Sequence, residues 1–206
     1  MRRYIISALL AFGLGFGQFA SAQHGGGYQE IKPPVETRDA DQVEVLEFFW
    51  FGCPHCFAFE PTINAWAATK PDHVSFVREA PPLNPRWLPH SQAYYASKVL
   101  KVEEDFFEPF FNEIHLRKKP LNDQKSISKF AESLLGIDAD LFAKTMNSFE
   151  VDMHIRRSMQ LAQGAGVRSV PSVLVNGKYL TSGSLAGSNQ GVISVINNLI
   201  TREHAS

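Results

Sequence analysis

The sequence is poor in cysteine, with only Cys53 and Cys56 among 206 residues. A small scaffold stapled by many disulfides is therefore excluded, and an ordinary hydrophobic core must hold the chain. A basic excess is also missing. Lys plus Arg number 20 against 21 for Asp plus Glu, a net charge of −1. No positive surplus exists to neutralise a phosphate backbone, so nucleic acid is not an expected partner. Repeats of solenoid length and blocks of like charge are absent, which removes repeat arrays and charged interaction tails. Past the first twenty residues no apolar run is long enough to span a bilayer. What is present is 44% hydrophobic and 20% charged. That composition supports one domain with an insertion, or two small domains.

The N-terminal 22 residues stand apart. Arg2 and Arg3 precede an apolar run from Tyr4 to Ala20, and Ala20-Ser21-Ala22 offers the small residues of a cleavage site. Residues 1–22 read as a secretory signal peptide removed after Ala22. Gly13, Gly15, Gly17 and Gln18 weigh against an uncleaved anchor, as does the short apolar length. Export means an oxidising compartment, where cysteines usually staple the fold. A bridge across two intervening residues removes little chain entropy compared with one closing a long loop. The single pair therefore points to chemistry.

Periodicity gives the order of elements. Val43 to Trp50 carries apolar side chains on both parities, as in a strand buried on both faces. Gly52 ends it and Cys53-Pro54-His55-Cys56 follows. Phe57 to Thr69 is predicted helical, with Phe59, Ile63 and Trp66 on one stripe. Pro54 suits the first helical position, and Pro61 is expected to kink the helix. His73 to Glu79 is a second strand, completing a βαβ unit with the cysteines at its first turn. After a proline-rich stretch from Pro81 to Pro89, helical patterns run through Ala93 to Leu100, Phe106 to Ile114, Ile127 to Leu135, Leu141 to Met146 and Val151 to Gln163, with Gly136 closing the third. The phenylalanines of that block, at helical spacing, are expected in the core. Ser172 to Val175, the Asn176-Gly177 turn and Lys178 to Thr181 form a hairpin. Val192 to Ile200 makes a closing amphipathic helix. The expected fold is α/β: a small mixed sheet carrying a helical insertion at 84–154, flanked by 23–83 and 155–206.

A thiolate attacks disulfides and a thiol does not, so a working cysteine needs its charge stabilised. Cys53 stands where a helix begins, beside unpaired N–H groups and the positive end of the helix dipole. His55 in the first turn is a candidate donor to its sulfur. Cys56, one turn further in, is the candidate resolving thiol. Other uses of the pair fit less well. A closed zinc site needs four ligands, and His73, His90, His115 and His154 are scattered. Covalent haem attachment needs a histidine directly after the second cysteine, and Phe57 stands there. Glu47 lies inside an apolar strand, where burial would raise its pKa and let it exchange protons with Cys56; a solvated position on an edge strand is the alternative.

Val45-Leu46-Glu47-Phe48-Phe49, Cys53-Pro54-His55-Cys56, Val170-Pro171 and Val175-Asn176-Gly177-Lys178-Tyr179 together resemble the DsbA family of periplasmic disulfide oxidases, which have a thioredoxin-like fold. The order of elements agrees over almost the whole chain beyond residue 22. The insert agrees mainly by pattern, and Trp50 and Gly52 are departures that alter the surface a partner meets. Pro61 resembles the helix-kinking proline of thioredoxins. The resemblance implies that Cys53 is the exposed nucleophile, Cys56 the resolving cysteine and His55 the thiolate-stabilising residue of the Pro54-His55 dipeptide. It further implies a cis Val170–Pro171 bond facing the disulfide, and an acid beneath it in Glu47. The expected activity is introduction of disulfides into exported proteins that are unfolded or folding and carry free cysteines. A membrane quinone-linked partner of the DsbB kind would reoxidise the enzyme. No cofactor or metal is expected beyond the Cys53–Cys56 disulfide, and the expected state is a periplasmic monomer. A thioredoxin-like reductase or a disulfide isomerase is the alternative within the same fold.

Overall fold

The computed structural model describes residues 26–204, so the signal-peptide reading of residues 1–22 lies outside the described residues. Strand β1 spans Tyr28–Glu30, β2 Val43–Phe48 and β3 Val74–Glu79, with helix α1, Pro54–Ala67, between β2 and β3. Helices α2 (Leu88–Val99), α3 (Glu103–His115), α4 (Gln124–Leu135), α5 (Ala139–Met146) and α6 (Phe149–Gly164) follow. Strands β4 (Ser172–Val175) and β5 (Tyr179–Thr181), a short helix α7 (Gly183–Ala186) and helix α8 (Asn189–His204) complete the chain. The sheet order is β1-β5-β4-β2-β3; β2 and β3 run parallel and the remaining pairs are antiparallel.

Every residue of β2 is buried. It is an interior strand, with β3 on one side and β4 on the other, and is covered on both faces. Val43 and Val45 pack with Phe59, Ile63 and Trp66 of α1 and with Val192, Ile196 and Leu199 of α8. Leu46 and Phe48, on the opposite parity, pack with Ala162 and Ala165 at the end of α6. Glu47 shares parity with Val43 and Val45, so it points to the α1 face. Glu44 points the other way and is held by Arg38 at 2.7 Å, while Arg38 also binds Glu79. The helical block has its own core around Phe106, Phe110, Phe111 and Phe142, and Phe49, Phe51 and Cys56 are part of it. The phenylalanines at helical spacing are core, as periodicity required. Helix α6 passes straight through positions 154 and 155. Its Val151 and Ile155 pack in the helical block and Ala162 in the sheet.

Local chemistry explains most boundaries. Helix α1 begins at Pro54, three residues before the predicted start at Phe57, because the Cys53 side chain caps it; it is continuous through Pro61. Ser148 caps α6 by accepting from the Val151 N–H, which starts that helix at Phe149. Gly136 ends α4 in the left-handed region, with φ 69°. Asn176 and Gly177 turn the hairpin with φ 50° and 66°. A β-carbon at Gly177 would meet the Val35 carbonyl oxygen at 1.9 Å, so glycine is needed there. Strand β1 is only three residues long, and α7 only four. Neither is long enough to show a period, and neither was predicted.

Candidate active site

The site is built at the turn between β2 and α1. Cys53 is the residue before the helix, with extended backbone, and its sulfur accepts from the Cys56 N–H at 3.4 Å. Its own thiol donates to the Val170 carbonyl oxygen at 3.4 Å, and the Val170–Pro171 bond is cis. The chain thus brings residue 170 against residue 53 across the sheet. Cys53 retains 7% of its surface and Cys56 none. Exposed is too strong a word for Cys53, although it is the more accessible sulfur. Pro54 occupies the first helical turn, where no N–H is needed.

The two thiols are held at opposite ends of the acidity scale. The Cys56 thiol donates to the Cys53 sulfur and, together with the Cys56 and His55 backbone N–H groups, brings the Cys53 pKa down to about 6 against the opposing effect of burial. The charge of His55 adds a smaller push in the same direction. The His55 ring itself is exposed. The first turn of the helix therefore holds the thiolate more than the imidazole does. Burial raises Cys56 far above an ordinary thiol, reinforced by the Cys53 sulfur and by the charge of Glu47.

Beneath Cys56 lies a buried group of charges. Register places Glu47 on β2 opposite Arg78 on β3. Arg78 Nε donates to Glu47 Oε2 at 3.0 Å, and its terminal nitrogen donates to Glu60 Oε2 at 3.1 Å and to Asn64 Oδ1. Glu47 is fully buried on an interior strand, so the solvated alternative does not describe it. Burial raises its pKa and Arg78 opposes the rise. Burial and the Glu47 charge push Glu60 up to about 8. Neither Arg78 nor Glu60 was found by sequence reasoning. Glu60 could have been: Cys56, Glu60 and Ile63 recur at four and three residues, which puts Glu60 on the buried stripe of α1. Arg78 required the strand register.

Arg78→Met is expected to destabilise the protein by about 3 kcal/mol near neutral pH, because Glu47 and Glu60 lose their counter-ion in the interior. Carboxyls whose folded pKa is raised bind protons more readily folded than unfolded. Their contribution to stability therefore falls as pH rises above ~4.3. The deficit of the variant should shrink by at least half at about pH 5, which urea melts at the two pH values measure. An equal deficit at both would mean that the loss is one of packing alone.

The helical block braces the redox turn. His115 at the end of α3 shares a hydrogen through Nε2 with the Phe51 carbonyl oxygen at 2.7 Å, and its ring stacks on Phe57 at 4.8 Å. It therefore touches the chain on both sides of the CPHC segment. Trp50 lies across Gly52, where a β-carbon would be 2.3 Å from the indole, and stacks on Trp87 at 4.5 Å and 6°. Trp50 and Gly52 thus act together: the glycine leaves room for the ring. The histidines considered as metal ligands are separated by these duties. His90 binds the Leu121 carbonyl at 2.6 Å, with its pKa lowered to about 4 by burial, and His154 stacks on Tyr95. Among the described residues no three His, Cys, Asp or Glu side chains are grouped to hold a metal ion, and no helix is long and apolar enough to cross a membrane.

A CPHC pair at the first βα turn, a cis-proline loop against it, and helices inserted into a five-stranded mixed sheet define a thiol:disulfide oxidoreductase with a thioredoxin-like fold. Comparison with known proteins narrows the class. The profile of the DSBA-like thioredoxin domain matches residues 89–189, beyond the cysteine motif itself. The thiol:disulfide interchange protein DsbA of Pseudomonas aeruginosa is 34% identical over 209 residues, covering 100% of this chain and 99% of the relative. That of Pseudomonas syringae pv. tomato is 36% identical over 210 residues, covering 100% and 98%. The crystal structure of Pseudomonas aeruginosa DsbA superposes with a TM-score of 0.82 at 34% identity, covering 88% of this chain and 94% of that one. DsbA from Xylella fastidiosa gives 0.81 at 27% identity, covering 87% and 96%. The chain belongs to the DsbA family.

Proposed function

We propose that the protein oxidises cysteine pairs in exported polypeptides, with Cys53 as the sulfur attacked and Cys56 as the leaving thiolate. A substrate thiolate attacks Cys53 Sγ, the Cys53–Cys56 bond breaks, and Cys56 leaves with the electron pair. A second substrate thiolate then attacks the substrate sulfur of the mixed disulfide and releases the Cys53 thiolate. The substrate loses two electrons and the enzyme gains them. Cys56, whose thiolate is strongly disfavoured by burial, takes a proton as it leaves, and Glu47 and Glu60 with their raised pKa values are the donors at hand. Val170 and Pro171 present the substrate backbone to Cys53, and His55 adds charge near it. The observation that carries the reading is the place of the Cys53 sulfur, which caps α1 by accepting from the Cys56 N–H at 3.4 Å and faces the Val170–Pro171 loop, where its pKa is brought down to about 6. A stabilised thiolate favours the reduced enzyme, which makes its disulfide a strong oxidant.

The same reading places the protein in the periplasm as a monomer, exported by residues 1–22. A membrane quinone-linked partner of the DsbB kind would take up the two electrons, with no cofactor beyond the disulfide. It divides the chain into a thioredoxin-like domain (23–83 and 155–206) and an insert (84–154), with α6 shared between them. Equilibration with glutathione tests it. The wild-type disulfide should be far more oxidising than that of a thioredoxin-type reductant, and a reductant-like potential would turn the reading to reductase or isomerase. His55→Ala should lower the potential by less than about 30 mV, one pKa unit's worth, because the Cys56 thiol and the backbone N–H groups do most of the stabilising. A larger drop would restore the imidazole to the leading role.

A further inference from the structure

A groove of about 440 Å³ runs between α1 and α3, starting at Phe57, one residue beyond Cys56. None of its lining comes from the 169–171 loop that faces Cys53. Its floor is aromatic, made by Phe57, Phe107 and Phe111, and its polar groups are carboxylates and amides. Glu60 on α1 and Glu108 on α3 lie on opposite walls, and no lysine or arginine lines it.

Two observations show that Arg78 alone leaves these carboxylates under-compensated. Glu60 is only 8% exposed, and its Oε2 takes both Arg78 and Asn64, each at 3.1 Å, while the buried Oε1 has no partner among the described residues. The charge of Glu108 reaches Glu60 and opposes its ionisation, in addition to that of Glu47. Arg78 cannot relieve all of this, because it is already shared between Glu47 and Glu60. A cation between Glu60 and Glu108, carried on an apolar stem over the aromatic floor, would offset the Glu47 and Glu108 charges that add to burial in holding Glu60 protonated.

The geometry points to a substrate subsite for one lysine or arginine side chain, its stem on the aromatic floor and its charged head between Glu60 and Glu108. The inference rests on the disulfide-donating reading above and adds a sequence preference to it. A polypeptide with a basic residue near its cysteine would be steered and held beside the redox pair, while Val170 and Pro171 take its backbone on the other side.

Peptides with two cysteines, carrying a single lysine, alanine or glutamate at successive positions around the first cysteine, test this. Lysine in at least one position should raise kcat/KM roughly two- to fivefold over alanine, chiefly through KM. The gain should vanish near 1 M salt, where charges are screened within about 3 Å. Glu108→Gln should remove most of it and Glu108→Lys should turn the preference towards glutamate. Glu132→Gln, exposed on α4, should leave it intact. No lysine advantage at any position, or one that survives Glu108→Lys, would overturn the subsite while leaving the oxidase reading in place. Failure to oxidise even the alanine peptides would overturn the oxidase reading itself.

Discussion

Cys53→Ser is expected to abolish oxidation of dithiol peptides, and Cys56→Ser to trap mixed disulfides. The asymmetry follows from the site. Cys53 retains 7% exposure, and Cys56 none. With Cys53 gone, the remaining thiol is buried and so weakly acidic that it supplies essentially no thiolate at neutral pH. The serine variant has no disulfide to donate and no sulfur within reach. With Cys56 gone, Cys53 keeps the backbone N–H groups of the first helical turn. Its thiolate attacks a disulfide that joins two separate peptides, one peptide diffuses away as its thiolate, and the mixed disulfide persists because no second thiol is nearby to displace it. Mass spectrometry of the two variants after incubation with the disulfide-joined peptides separates these outcomes. Residual turnover in Cys53→Ser, or adduct-free Cys56→Ser, would reverse the assignment.

The stability of the reduced protein relative to the oxidised one should climb steeply with pH. The Cys53 thiol falls from an ordinary 9.0 to about 6 on folding. A depressed folded pKa contributes in full above the unfolded value and is lost as pH falls through the folded one. Three pKa units correspond to about 4 kcal/mol above pH ~9; the contribution is ~2.7 kcal/mol at pH 8, ~1.4 at pH 7 and ~0.4 at pH 6. Only the reduced form has this thiolate. Against it stands the loop entropy of the oxidised form, about 2 kcal/mol for a four-residue ring. Titrations insensitive to the redox pair occur in both forms and cancel in the difference. Between pH 6 and pH 8 the reduced form should therefore gain about 2.3 kcal/mol on the oxidised one, or roughly 5–9 °C in relative Tm for a domain of this size. It should be the less stable form at pH 6 and the more stable form at pH 8. Paired melts with and without reductant check both. A difference that does not change with pH would mean that Cys53 is an ordinary thiol.

Local pattern was enough for much of this. The strand from Val43, the helix after Pro54, the Asn176-Gly177 hairpin and the closing helix are all set by interactions within a few residues of one another. Those interactions repeat in the sequence at the periods of strand and helix. Cys53 and Cys56 were legible for the same reason: a helix start places both sulfurs, and the stabilising N–H groups are neighbours in the chain. The sequence also implied that Glu47 is buried, because it sits among apolar residues on a strand.

Only the tertiary structure decided what Glu47 meets. Its partner Arg78 comes from the facing register of β3 and is 31 residues away. Nothing in either segment alone marks that pairing, since a shift of one residue would send Arg78 to the other face. His115, from the helical block, reaches Phe51 across 64 residues, and Val170 reaches Cys53 across 117. His55 shows the converse. Its place beside the cysteines was plain from the sequence, but its ring faces solvent, and the Cys56 thiol and the backbone N–H groups do most of its expected work. Identity and period fix which groups are available and where helices and strands begin. Which buried charges share a cation, and which carbonyl faces the sulfur, depend on contacts between distant segments, and folding sets those by burying all of them at once.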